Sequence, residues 1–271
     1  MTTTQVLTHP DATDPSAPRY RLLLSSDAEH RVAAQRLRYD VFAAEPGFES
    51  AVHGLSGGLD ADRFDEHCDH LLVLDAAADE VVGCYRMLTP DGAVAAGGLY
   101  TETEFDLAAL APLRPGLVEM GRACVRPDHR SGSVVGLMWA GILNYLELTG
   151  YRWGMGCVSV PMRPRPDAVP GADVRGVRDR VLADHASALD RRVRPLRPVP
   201  GLDALTPPAR VVLPPLLRGY LRLGASICGE PAHDPDFGVA DFVALLGMAE
   251  ADERYLGRLR GVAAAVGMGT P

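Results

Sequence analysis

The stretch LVEMGRACVRPDHRSGSVVGLMWAGILNYLELTGYRWGMGCVSV, residues 117–160, constrains the fold more than any other part of the chain. A β-rich run (117–125) meets a turn of Pro, Arg, Ser and Gly. An apolar run of helical length (134–149) follows, stopped by Gly150, and a second β-rich run (153–160) closes the unit. Connections this tight imply a strand–helix–strand unit with the helix laid across the sheet, and so an α/β fold.

The first of these strands carries Glu119 and Arg122. Charge inside a central strand is costly unless it is paired or used. Pleat alternation puts Val118, Met120, Arg122 and Cys124 on one face and Glu119, Gly121, Ala123 and Val125 on the other. Gly121 offers a place for a bulge that re-aims one of the two charges. Two readings follow: an ion pair that holds two layers together, or a carboxylate whose proton affinity burial raises, suited to accept a proton near neutral pH. The turn then sets Arg126, Arg130, Ser131, Gly132 and Ser133 at the helix start. Free backbone N–H groups and arginine forks there favour a phosphate.

The remaining elements read as one mixed α/β domain. Ser26 with Glu29 forms a capping-box pattern ahead of Ala33, Leu37 and Val41, which predicts a helix over 27–44. Pro46-Gly47 ends it, and 53–62 is a glycine-rich loop. HLLVLD and VVGCYRML predict a hairpin, with a further short strand at 97–100 and a brief helix at 106–112. Helices are expected at 177–192 and 213–224, and two closing strands at 225–231 and 239–247. Residues 1–19 and 258–271 read as tails around a domain spanning 20–257.

Composition removes several chemistries. The chain has no lysine, which excludes a lysine Schiff base and a Walker A loop. Its five cysteines are odd in number and lack a CxxC pair, so neither a disulfide framework nor a zinc knuckle is expected, and a reducing cytoplasm fits. A formal charge of −8 argues against nucleic-acid binding. No apolar run is long enough to span a membrane, and the first residues lack a secretory pattern. His67-Cys68-Asp69-His70 has no second ligand cluster to complete a metal site, so none is expected. Cys124 has no histidine beside it in sequence and reads as a small core side chain rather than a nucleophile. Leu137, Met138, Trp139, Ile142, Leu143 and Leu146 read as a stripe packed on the sheet, part of which can line an acyl tunnel.

Taken together, LRYDVFAAE, FDEHCDHLLVLD, VVGCYRML, VEMGRACVRPDHRSGSVVGLMWAGILNY, YRWGMGCVSV, RPLRPVPG and the closing run from PPLLRGYLRLG to VADFVALL resemble the ornithine acyl-[acyl carrier protein] N-acyltransferases. These are GNAT-fold enzymes related to the acyl-homoserine-lactone synthases, and the resemblance covers residues 20–257. It implies a mixed sheet with helices on both faces and a V-shaped splay between the central strands. It also implies direct transfer of a fatty acyl group, 3-hydroxylated or not, to an amino-acid α-amine, ornithine above all, and no prosthetic group. The acyl donor is implied to be the phosphopantetheine of acyl carrier protein, with acyl-CoA the alternative.

By the same resemblance Glu119 and Arg122 are catalytic. Ala123, Cys124, Val125, Arg126, Arg130, Ser131, Gly132 and Ser133 bind the donor, and Arg38, Asp65, Asp69 and Arg86 hold the acceptor. The turn RPDHRSG departs from the QxxGxG/A of acetyl-CoA enzymes, which favours the carrier protein over CoA. The segment 161–197, with nine arginines and five aspartates, is then a candidate docking face for an acidic carrier. A lipidic product makes transient contact with the inner membrane leaflet reasonable. The alternatives are an acyl-homoserine-lactone-synthase-like enzyme and a non-catalytic module that binds an acyl carrier.

Overall fold

A mixed sheet, assembled around the predicted strand–helix–strand unit, organises the chain. The computed structural model describes residues 4–7, 19–44, 56–130 and 132–265. In chain order these form β1 (Thr4–Val6), β2 (Tyr20–Ser25), α1 (Ala28–Ala44), β3 (Cys68–Asp75), β4 (Glu80–Leu88) and α2 (Pro90–Ala95). Next come β5 (Phe105–Asp106), β6 (Leu117–Val125), α3 (Gly132–Thr149), β7 (Trp153–Pro161), α4 (Ala172–Asp184) and β8 (Arg194–Pro195). The chain closes with α5 (Pro215–Arg222), β9 (Ser226–Ile227), β10 (Ala232–Asp234), β11 (Val239–Gly247) and α6 (Glu253–Ala265). Among the described residues the main sheet runs β1-β2-β3-β4-β6-β7-β11-β10, with β9 added against β11, and β5 pairs β8 separately.

Alternation sorts the strand side chains between two helical layers. Leu72, Cys84 and Cys124 pack with Ala34, Leu37 and Val41 of α1. Leu71, Val73, Val82 and Met120 pack with α3 on the other face. Helix α3 lies close to the sheet because Gly141 has no side chain: a Cβ there would meet Leu22 and Leu71 at 2.7 and 3.0 Å. Every named pairing of the main sheet is antiparallel except β6 with β7.

That parallel pair is short. It holds Leu117↔Trp153, Val118↔Gly154 and Glu119↔Met155, and then ends. Beyond it β7 stays fully laddered to β11, from Trp153↔Gly247 to Pro161↔Val239. Strands β6 and β7 therefore part after Glu119, which is the expected splay.

Four expectations change. Residues 97–100 are not a strand: Gly97 and Gly98 take φ of 75° and 137°, a turn conformation, and a 3-10 turn follows at Tyr100–Thr103. The helix expected over 177–192 is shifted to Ala172–Asp184, and Ala186 then bridges Ile227. Thr4–Val6 of the expected N-terminal tail pair with β2 at the sheet edge. Helix α6 runs past the expected boundary at 257, burying Leu256 and Leu259, and its Arg260 bonds Glu147 of α3 at 2.7 Å. Pro46-Gly47 and residues 53–55 lie outside the described residues.

Candidate active site

The splay opens a cavity of about 540 Å³ between β6 and β7, and both charged residues of β6 line it. They share it because the pleat is broken. Against β4, Gly121 faces Arg86 and Cys124 faces Cys84, so Arg122 and Ala123 together oppose Tyr85 alone. This is a β-bulge. Gly121 itself keeps ordinary backbone geometry; Arg122 takes the left-handed conformation at φ 51°. A non-glycine residue there costs on the order of 1 kcal/mol or more. Alternation resumes out of phase, which turns Cys124 to the α1 face, away from Met120. Arg122 joins Glu119 on that face, where regular alternation would have separated them.

Glu119 is buried. Its Oε2 accepts from the Tyr100 N–H at 2.7 Å, and its Oε1 accepts from the Thr101 N–H at 2.8 Å and from the Thr101 hydroxyl. Burial pushes its carboxyl above the ordinary value, while these three bonds and the Arg86 charge act in the opposite sense. Loss of water outweighs the donors, so the group has raised proton affinity without being orphaned.

The arginines around it form a balanced network. Arg38, fully buried on α1, donates Nε to Asp60 at 2.7 Å, donates to the Asp60 carbonyl, and bonds both Asp65 oxygens at 3.0 and 2.9 Å. Arg86 bonds Asp62 at 2.6 Å and Asp65 at 3.2 Å. Arg38, with Arg86, holds the Asp65 carboxyl down at about 2 against the effect of burial. Arg122 is held more loosely, 3.5 Å from Asp60 and 3.7 Å from Asp62. Its guanidinium lies over Tyr100 at 5.5 Å and over Phe237 at 5.3 Å. Arg86 and Arg122 line the cavity; Arg38 and Asp65 stand behind them and fix them. Asp69 is placed elsewhere, accepting from the Tyr145 hydroxyl of α3 at 2.9 Å.

On the donor side Ala123, Cys124, Val125 and Arg130 line the cavity. Arg130 donates Nε to the Val125 carbonyl at 3.1 Å. Gly132 is exposed at the start of α3, and Ser131 lies outside the described residues. Nothing is described of the Ser133 side chain. Arg126 is turned away, tied to Glu80 at 2.7 Å and Asp128 at 2.8 Å. The Cys124 thiol is buried beside Cys84, which raises its pKa, the character of a packed thiol. His70 bonds the Asp65 carbonyl at 2.9 Å, so its ring steadies the arginine network.

Residues 37–140 match the acetyltransferase (GNAT) domain family. An L-ornithine Nα-acyltransferase of Brucella abortus (strain 2308) is 35% identical over 237 residues, covering 83% of this chain and 83% of the relative. The chain belongs to the L-ornithine Nα-acyltransferase family. A second member, from Rhizobium meliloti (strain 1021), is 35% identical over 246 residues, 86% of this chain and 81% of the relative. The fold is also that of BjaI, a CoA-dependent acyl-homoserine lactone synthase, with a TM-score of 0.52 at 16% identity over 90% of this chain and 84% of that one. The protein is thus an acyltransferase of GNAT fold.

Within this acyltransferase several residues of the site escape sequence reasoning. Tyr100 and Thr101 line the cavity, one at the end of a segment read as a strand and one just past it, while Asp60 and Asp62, outside the lining, sit in the stretch read as a glycine-rich loop. Glu104, Asp234 and Asp241 are buried and line the cavity. Asp241 was findable, because an aspartate inside the apolar run VADFVALLG raises the same question as Glu119 in β6.

Proposed function

We propose that the protein moves a fatty acyl group from a phosphopantetheine thioester to the α-amine of ornithine, giving a lyso-ornithine lipid. The observation that carries this is a buried carboxylate, Glu119, at the apex of a cavity between two diverging strands, in a chain 35% identical to named L-ornithine Nα-acyltransferases. Glu119 takes the proton from the substrate ammonium; the freed nitrogen attacks the thioester carbonyl, and the thiol leaves. Backbone N–H groups of Ala123–Val125, beyond the point where β6 loses its parallel neighbour, receive the developing oxyanion. Arg122 presents its fork to the acceptor carboxylate. Arg86, fixed by Asp62 and Asp65, acts on Glu119 through its charge and limits how far burial raises that carboxyl.

The donor is proposed to lie along β6 as an added strand, with its phosphate at Arg130 and the first turn of α3. Acyl carrier protein is the proposed partner, but its docking surface is not proposed on segment 161–197. That segment's charge of about +4 is offset by four acids outside it. Arg175 and Arg178 pair Asp203, Arg178 also pairs Glu230, Arg191 pairs Glu250, and Arg194 pairs Asp106. Among the described residues no helix is long and apolar enough to cross a membrane.

The test is incubation of the purified protein with acyl carrier protein or CoA thioesters and a panel of amino acids, read by mass spectrometry. An ornithine amide supports the proposal. A lactone, or no acyl transfer from either donor, refutes it.

A further inference from the structure

Glu104, Asp234 and Asp241 take no part in the mechanism above, yet they face the same cavity as Glu119 and Arg122. They are 4%, 7% and 4% exposed. One carboxylate oxygen of each lies within 4.8 Å of the other two. Asp241 accepts from the Ser159 hydroxyl at 2.6 Å, and Asp234 accepts from the N–H groups of Asp236 and Phe237 at 2.9 and 3.3 Å. Glu104 Oε2 is buried and receives no bond from an N–H or hydroxyl group; the polar group that Glu104 meets is the Asp241 carboxyl, another acceptor unless one of the two holds a proton. A buried acceptor left unpaired inside a substrate cavity marks a place for a donor.

Charge makes the same point. Three acids this close cannot all be ionised in a dry site without a cation, and burial and mutual repulsion raise the proton affinity of Glu104 and Asp241. The cations that face them are Arg122 and Arg197, with the neutral Cys157 thiol and Tyr100 phenol beside them, and Arg122 is turned toward Asp60 and Asp62 instead. The two aspartates expected to hold the acceptor are occupied: Asp65 serves Arg38 and Arg86, and Asp69 accepts from Tyr145.

Spacing along β7 fits a diamine. On β7, Cys157 lies 3.4 Å from the Thr101 hydroxyl that bonds Glu119, and Ser159 bonds Asp241. Two residues along one face of a strand span about 7 Å. A three-methylene arm, with its two nitrogens roughly 6 Å apart when extended, bridges such a step from an α-nitrogen at Glu119 to a terminal nitrogen at the acids, with a hydrogen bond at each end. An ammonium brings three N–H donors, one for each carboxylate.

We propose that Glu104, Asp234 and Asp241 form the subsite that holds the terminal ammonium of a diamino-acid acceptor. This rests on the acyl-transfer reading above and makes the cluster the determinant that separates ornithine from monoamino acids.

The test compares L-ornithine with L-2-aminopentanoate, the same side chain without its terminal nitrogen, in wild type and in Asp241→Asn and Glu104→Gln. Calorimetric titration of ornithine without acyl donor runs alongside. Wild type is expected to prefer ornithine in kcat/KM by about a hundredfold. Each variant is expected to reduce that preference about tenfold or more, mainly through KM for ornithine, while 2-aminopentanoate turnover falls far less.

Equal use of the two amino acids by wild type overturns the subsite and leaves the acyl-transfer reading standing. So does stoichiometric binding of Mg²⁺, Ca²⁺ or Mn²⁺ that Asp241→Asn abolishes. Ornithine binding that the variants lose, without acylation of any amino acid, keeps the subsite and overturns the acyl-transfer reading. Neither binding nor turnover of ornithine overturns both.

Discussion

Glu119 and Asp65 are both buried carboxylates, and their surroundings drive them in opposite directions. Asp65 has two arginines and is held down at about 2; Glu119 has three dipolar donors and is raised by burial. A carboxyl lowered from 3.8 to about 2 adds stability that is complete above pH 4 and lost as pH falls through 2. Removing it should cost about 2 kcal/mol at neutral pH. Asp65→Asn is therefore expected to lower the urea midpoint at pH 7 and to narrow the gap to wild type in acid, read by denaturation across pH. Glu119→Gln keeps shape, but Tyr100 and Thr101 bond different carboxylate oxygens, so the single amide oxygen can keep the two Thr101 bonds and loses the Tyr100 bond; a stability loss of about 1–3 kcal/mol is expected, with the fold retained. Acyl transfer is expected to fall about 10²- to 10⁴-fold, mainly in kcat, the range for loss of a general base. Near-wild-type turnover by this variant removes Glu119 from the role.

Strands β6 and β7 show how a splay is built from backbone contacts. Gly156 lies where the two part, and a Cβ there would run into the Met120 carbonyl and come within 2.8 Å of the Tyr220 hydroxyl. Neither is the free end of a flexible side chain, so the strands would have to shift. Gly156→Ala is expected to destabilise the protein by about 1–3 kcal/mol and to depress transfer beyond what stability explains, because the cavity walls move. Thermal unfolding together with kcat/KM on the folded fraction checks both parts. The bulge is the second device at this scale. It makes the residue after Gly121, not the glycine, carry the left-handed strain, and the ion pairs and rings around Arg122 offset its cost.

Across the whole molecule, the cavity lining combines polar and apolar groups. Arg86, Arg122, Glu119 and the three acids supply the first; Phe42, Met138, Trp139, Val158 and Leu216 supply the second. Trp139 packs edge-on to Tyr220 at 4.9 Å, and Tyr220 bonds Tyr85 at 2.9 Å, which ties two residues of the lining together. The polar groups suit an amino acid and the apolar ones a fatty chain. Met138→Trp adds bulk to the apolar lining and is expected to shift the preferred acyl chain shorter by several methylenes. Competition among thioesters of different length, with products weighed, checks this; an unchanged length profile places the chain elsewhere.

Arg86 came in through the family resemblance, while the sequence by itself determined the strand–helix–strand core, helix α1, the β3–β4 hairpin and the candidacy of Glu119, Arg122 and Arg130. Those features follow from local periodicity, turn residues and the cost of charge in a strand. Only the tertiary structure decided that Glu119 and Arg122 share a face, because a bulge is set by which partner residues the neighbouring strand offers. It also separated Asp69 from the arginine network and brought in Asp60 and Asp62, whose loop carries no periodic signal. The three acids of the proposed ammonium subsite come from a turn-rich segment and two closing strands, more than a hundred residues apart in part. Their proximity exists only once β7, β10 and β11 are laddered side by side, since electrostatic coupling depends on distance through space and not along the chain.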